Sequence, residues 1–237
     1  DGLPDLDGSN VQYIGISMGA ILGTPFVAVE QTISGAVLSV GMGGIARGLN
    51  GSDTFGPGIR AGLAAAGVVE GTANFELFFT VMQTVIDSID PINWAAEAAF
   101  NQPIYFQEVI GDTFVPNLVP PLSGTEPLMA VMGLKSFSST QSNADGLRVA
   151  GRFLPPASHG SLLSPATSLE ATLEMQAQAA SFLATNGQIL VVIDDSTMVP
   201  IPEMQAGSAP LIMRSDFSGS GTQVLSPQHI EQMMGRR

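Results

Sequence analysis

Residues 11–20, VQYIGISMGA, decide how this 237-residue chain is interpreted. An apolar, β-prone run leads into Gly15-x-Ser17-x-Gly19, and a run of small, helix-compatible residues follows. In that context Gly-x-Ser-x-Gly forms a sharp strand-to-helix turn that presents the serine hydroxyl. A side chain at Gly15 or Gly19 is expected to collide with neighbouring backbone. The stretch predicts that Ser17 is a nucleophile, and the alternative is a packing serine in a tight turn.

Strands and helices alternate along the rest of the chain. Strands are predicted at 11–16, 35–40, 103–110, 146–154 and 189–193, and helices at 19–34, 126–133 and 168–184. This alternation is typical of a mostly parallel sheet covered by helices on both faces. Residues 46–101 have helical periodicity and are apolar on nearly all sides around residues 75–89. They predict a helical cap or lid over the strand ends, with an ordinary core helix as the alternative.

The composition excludes several classes of function. The chain has 8 basic and 21 acidic residues, a net charge of −13, so no basic surface is expected to bind nucleic acid. It has no cysteine, which excludes disulfides, thiolate nucleophiles and cysteine-ligated metals. Its two histidines are distant in sequence and predict no zinc site. No metal and no cofactor are expected.

Three chemically useful side chains lie at or just after predicted strands: Ser17, Asp112 and His159. The carboxyl ends of parallel strands meet at one edge of a sheet, so we expect these side chains to lie together. A serine hydroxyl needs a neighbouring base to accept its proton, and histidine is the suitable one. His159 is favoured over His229, which falls in a predicted terminal helix and suits a solvated role.

The imidazole in turn needs a carboxylate to hold its tautomer. Asp112 directly follows a strand and a turn at Gly111, which favours it as that acid. Three other aspartates are alternatives, although helix capping or solvation accounts for them: Asp87, Asp90 and Asp145. The order Ser17, Asp112, His159 is that of the α/β-hydrolases.

Three segments carry a resemblance to a known family. Residues 15–24 (GISMGAILGT), 110–117 (IGDTFVPN) and 159–163 (HGSLL) resemble bacterial extracellular or surface-exposed lipases of the α/β-hydrolase superfamily, the VolA-like lysophospholipase type. The stretch 90–93 (DPIN) is also similar to that group, and the similarity covers about residues 5–193. The resemblance implies Ser17 as nucleophile, Asp112 as acid, His159 as base and the Met18 backbone N–H as an oxyanion donor. It also implies a secreted or cell-surface location.

One departure from the family shapes the expected fold. Only ten residues precede Val11, whereas the family has several strands and an oxyanion loop before the nucleophile. Residues 1–237 are therefore interpreted as one α/β-hydrolase domain that lacks its N-terminal part, with 46–101 as the cap. Half a sheet exposes an edge strand, so we expect a homo-oligomer or association with the missing part.

Together these features predict a serine carboxylic-ester hydrolase that acts on lipid or medium-chain esters through an acyl-enzyme. The apolar residues between 75 and 89 are expected to form its acyl pocket. The alternative is a non-catalytic structural half that needs a partner chain to complete its sheet. A peptidase or acyltransferase could use the same triad, because fold and triad do not set the acceptor.

Overall fold

The computed structural model describes residues 8–201, and a five-stranded sheet is its central element. The strands within these residues are β1 (Val11–Ile16), β2 (Ile33–Ser39), β3 (Ile104–Val109), β4 (Lys135–Phe137), β5 (Gln141–Ser142), β6 (Arg148–Phe153) and β7 (Ile189–Leu190). The sheet has the order β1-β2-β3-β6-β4, and each neighbouring pair is parallel. All its carboxyl ends therefore lie at one edge.

The helices of the described residues are α1 (Met18–Val29), α2 (Ile45–Gly51), α3 (Gly56–Ala65), α4 (Ala73–Ile86), α5 (Pro91–Asn101), α6 (Thr125–Val131) and α7 (Leu169–Ala184). Helices α1, α5 and α6 lie on one face of the sheet and α7 on the other, as predicted for an α/β protein. None of the helices in this part of the chain combines the length and apolar character needed to span a bilayer.

Side chains that alternate between the two faces of the strands form two separate hydrophobic cores. On one face, Leu38 of β2 and Phe106 of β3 pack with apolar residues of α1, α5 and α6. On the other face, Val37 and Tyr105 pack against Phe182 and other residues of α7. Successive side chains of a strand point to opposite faces, so strands buried on both sides are apolar nearly throughout.

The helices within residues 46–101 divide into two groups. Phe75 and Phe79 of α4 and Ala46 of α2 are buried in a third cluster, separate from the two sheet cores. Helix α5 instead contributes Ala95 and Ala98 to the core that contains α1. Phe75 and Phe79 are both buried in that cluster, and the acyl pocket expected around them stays a prediction. The prediction that α2, α3 and α4 form a cap is not tested by these contacts and stays a prediction.

The structure corrects two element boundaries. The helix predicted over 19–34 ends at Val29, because the Glu30 carboxylate accepts hydrogen bonds from the Thr32 N–H and hydroxyl and forms a turn. The strand predicted at 189–193 pairs only at Ile189–Leu190, antiparallel to β5 and outside the main sheet. Beyond it, the Val192 N–H bonds to a side chain, the Thr140 hydroxyl. The predicted terminal helix lies outside the described residues.

The missed strand β4 has a simple explanation. Its sequence is Lys-Ser-Phe, followed by Ser138 and Ser139, and no β-branched residue marks it. It lies at the edge of the sheet and pairs with β6 alone.

Gly15 allows α1 to follow β1 with almost no intervening loop. A Cβ atom built on Gly15 lies 2.4 Å from the backbone oxygen of Gly19. The same expectation for Gly19 is wrong: outside its own helix, the nearest atom to its Cβ is the Tyr13 hydroxyl at 4.0 Å. The Tyr13 hydroxyl donates a hydrogen bond to the Gly19 carbonyl at 2.6 Å, which links the start of α1 to β1.

We expect Gly15→Ala to destabilise the protein by about 1–3 kcal/mol or more, because the contact is with backbone that cannot move independently. Gly62→Ala is the matched control: Gly62 is exposed in α3 with open space around its Cβ. The control is expected to stabilise by about 0.5–1 kcal/mol through helix propensity. Urea unfolding measures both, and an unchanged midpoint for Gly15→Ala contradicts the steric argument.

Candidate active site

Ser17 occupies a strained turn between β1 and α1. Its backbone has φ 54°, a conformation that few residues other than glycine adopt. Its N–H donates to the Ser39 carbonyl at 2.9 Å, and its own carbonyl accepts from Ala20 N–H at 2.9 Å. These bonds hold the turn at the carboxyl end of two neighbouring strands. Such strain is often found at functional sites.

His159 reaches Ser17 from the loop that follows β6. Its Nε2 lies 2.8 Å from Ser17 Oγ, and its Nδ1 lies 2.6 Å from Asp112 Oδ2. The loop is shaped by Ser161, whose hydroxyl accepts from the Ser158 N–H at 2.8 Å. The structure therefore brings together all three side chains that the sequence analysis singled out. The catalytic roles assigned to them stay predictions.

Asp112 is oriented by its own loop. Its Oδ1 accepts hydrogen bonds from the N–H groups of Phe114 at 2.8 Å and Val115 at 3.2 Å. The carboxyl side chain is 1% exposed, against 17% for the His159 side chain. The oxygens of a carboxylate can only accept from the ring. The His159 Nδ1–H is then the donor to Asp112, and Nε2 is free to accept the Ser17 proton.

Phe114 contacts the imidazole directly, and the sequence analysis did not identify it as a site residue. Its ring stacks on that of His159 with centroids 4.9 Å apart and 27° between planes. Phe55, just before α3, meets the Phe114 ring edge-on with centroids 5.9 Å apart. The Thr54 N–H donates to the Thr113 carbonyl at 3.0 Å, which ties the two loops together. The available signal was an aromatic residue two positions after the candidate acid.

A buried ionic network lies beneath the Asp112 loop and was also missed. Glu108 of β3 is fully buried and pairs with Arg152, its neighbour on β6, at 2.5 Å. Arg152 also contacts Glu126 of α6 at 2.8 Å. Burial raises the pKa of Glu126, the Glu108 charge adds to that rise, and Arg152 opposes it. The available signal was a glutamate inside an otherwise buried strand.

The alternative site residues lie elsewhere. Asp90 is fully buried and caps two helices: Oδ1 accepts from the N–H groups of Gly44 and Ile92, and Oδ2 from that of Ile45. Asp87 ends α4, and Asp145 lies in the turn before β6. His229 lies outside the described residues.

Met18 is the first residue of α1, directly after the nucleophile. The first N–H groups of a helix have no acceptor within it and lie at the positive end of the helix dipole. The Met18 N–H therefore suits the developing charge on a carbonyl oxygen attacked by Ser17. Its side chain is exposed.

Comparison of the sequence with protein-family models gives no match, and comparison with curated proteins gives no significant match.

We expect Asp90→Ala to lower the free energy of unfolding by about 3 kcal/mol, because it leaves one buried and two partly buried N–H groups without their acceptor. Asp87→Ala removes an exposed carboxylate three residues away and serves as control, with an expected change within about 0.5 kcal/mol. Urea denaturation followed by circular dichroism gives both values. Equal losses in the two variants contradict the capping role.

Proposed function

We propose that this protein is a serine carboxylic-ester hydrolase of the α/β-hydrolase type. The observation that carries the proposal is the continuous hydrogen-bonded path from Ser17 Oγ through the His159 ring to Asp112. The strained turn at Ser17, the chain order of the three residues and the parallel sheet support it.

The proposed reaction begins with attack on the ester carbonyl. As Ser17 Oγ bonds to the carbonyl carbon, its proton moves to His159 Nε2, and Asp112 stabilises the resulting imidazolium. The Met18 N–H donates to the oxyanion. The imidazolium then gives its proton to the departing alcohol, which leaves an acyl-enzyme. Water, deprotonated by His159, attacks this intermediate and releases the acid.

Lipid or medium-chain esters are the proposed substrates. The support is apolar surface around the site. Phe114 stacks on the His159 ring, Phe55 contacts Phe114, and both are more than a third exposed. Leu163 is exposed four residues after His159. Burying an apolar acyl group against such surface lowers the free energy of binding. Secretion or display at a bacterial surface is proposed from the sequence resemblance.

Hydrolysis of p-nitrophenyl esters of increasing acyl length tests the proposal. We expect Ser17→Ala and His159→Ala to lower kcat by about 10⁶-fold, and Asp112→Asn by about 10⁴-fold through the wrong tautomer. A fluorophosphonate probe is expected to label the wild type and to fail with Ser17→Ala.

Ser164→Ala is the matched control, because Ser164 is an exposed serine in the loop that carries His159. It is expected to keep wild-type turnover and labelling. A folded wild-type protein that neither hydrolyses any ester of the series nor reacts with the probe refutes the proposal.

The second candidate function is a structural half that completes its sheet with another chain. No strand within residues 8–201 pairs with the outer edge of β1, where Ile14 is 51% exposed. On α1, residues at helical spacing continue an exposed apolar stripe: Met18, Leu22, Phe26 and Val29. Unpaired strand edges flanked by apolar surface are templates for association. A partner chain here could also supply an oxyanion donor, which is worth about 100- to 1000-fold in turnover.

Sedimentation velocity tests this candidate. If β1 and α1 form a contact between copies, the wild type is expected to sediment as a dimer or larger, and Ile14→Lys as a monomer, because a lysine blocks edge pairing. Val85→Lys, on an exposed position of α4, is expected to leave the assembly unchanged. A wild-type monomer with ester turnover eliminates the second candidate.

A further inference from the structure

We propose that Asn117 is a positioning residue for Asp112, an inference that rests on the proposed function. Asn117 follows Asp112 by five residues, and its side chain folds back over the turn that leaves β3. It has no contact with Ser17 or His159 among its hydrogen bonds. Its effect on the reaction therefore passes through the carboxylate that holds the imidazole.

The amide of Asn117 joins the two ends of the turn before Asp112. Its Oδ1 accepts the N–H of Gly111 at 2.8 Å, and its Nδ2 donates to the Val109 carbonyl at 2.8 Å. Gly111 has φ +74°, so the chain reverses sharply between β3 and the acid. One side chain thus fixes the last strand residue and the residue next to Asp112.

The buried charge of Glu108 sets which way the amide faces. Nδ2 also donates to Glu108 Oε1 at 3.0 Å and lies 3.2 Å from the Thr125 hydroxyl, which itself donates to Glu108 Oε1 at 2.6 Å. The groups near Nδ2 include a carboxylate and a carbonyl, which only accept, whereas the group at Oδ1 is an N–H donor. The reversed amide would lose the bonds at both ends, so only one orientation is stable.

The network beneath the amide makes the arrangement rigid. Arg152 balances Glu108 from the neighbouring strand, and the Asn117 carbonyl accepts the Glu126 N–H at 2.9 Å, at the start of α6. A charge buried without its partners is costly, so Glu108 keeps its donors in place. Strand β3, the loop that contains Asp112 and helix α6 are thereby joined at Asn117.

A small displacement of the acid has a large consequence for catalysis. Misplacement of a catalytic group by about 1 Å can cost about 100-fold in rate. Asn117→Ala removes the bonds to Gly111 and Val109 and keeps Asp112, so we expect kcat to fall by about 10- to 100-fold with KM within about threefold of wild type. Asn117→Asp has nearly the same shape but places an acceptor against Glu108, and we expect a similar or larger loss of kcat.

Asn143→Ala is the matched control. Asn143 closes a turn in the same manner, with Nδ2 donating to the Gly146 carbonyl at 3.1 Å and Oδ1 accepting from the Asp145 N–H at 3.0 Å. That turn precedes β6 and lies at the opposite end of the strand from Arg152. We expect wild-type kcat and KM for Asn143→Ala.

Proton NMR of the His159 ring supplies a readout that does not depend on turnover. A ring N–H that donates to a carboxylate resonates far downfield, and His229→Gln assigns the signal because the chain has only two histidines. We expect this signal in the wild type and in Asn143→Ala, and its loss or shift in both Asn117 variants. A merely structural role for Asn117 would lower the melting temperature without changing the signal of the folded protein.

The outcomes separate this inference from the proposed function. Loss of the signal in folded Asn117→Ala supports the positioning role, even if the wild type hydrolyses no ester and the proposed function fails. Wild-type kcat and an unchanged signal in the folded variant overturn the positioning role and leave the hydrolase proposal intact. If Asn117→Ala does not fold, the same comparison is made with Asn117→Asp.

Discussion

The close approach of β1 and α1 is the constraint on which the candidate site depends. The backbone of residue 15 lies almost against the Gly19 carbonyl, so the chain has space for only one residue between strand and helix. That residue, Ser17, takes the positive φ that the turn requires and projects its hydroxyl beyond the sheet edge. The strain is offset by the hydrogen bond to Ser39 and by the packing of Tyr13 on the helix.

The parallel sheet converts this local feature into a site. Since β1, β3 and β6 all end at the same edge, the loops that follow them can meet, although their residues are distant in sequence. The loop that contains Asp112 and the loop that contains His159 are stabilised differently. Asp112 is held by N–H groups of its own loop above a buried ionic network, and His159 is held by the two groups it contacts and by Phe114.

Exposed apolar surface extends beyond the three hydrogen-bonded side chains. Exposed apolar residues form a stripe on α1 next to the unpaired edge of β1, and others lie beside the His159 ring. Contiguous apolar surface of this kind usually marks an interaction site. The acidic net charge of the chain repels anionic groups, which agrees with the proposal of neutral apolar substrates.

The sequence by itself determined the α/β class, the strand-to-helix turn at Ser17, and the prediction that His159 and Asp112 lie next to Ser17. Periodicity, glycine spacing and scarce residue types are local properties that can be seen in the sequence. Only the tertiary structure decided that 189–193 leaves the main sheet, that Lys135–Phe137 joins it, and that α5 belongs to the core rather than to the first three helices of residues 46–101. It also revealed Phe114, Asn117 and Glu108 around the three hydrogen-bonded side chains. These outcomes depend on which distant segment supplies a hydrogen-bond or packing partner, and that information is absent from any short stretch of the chain.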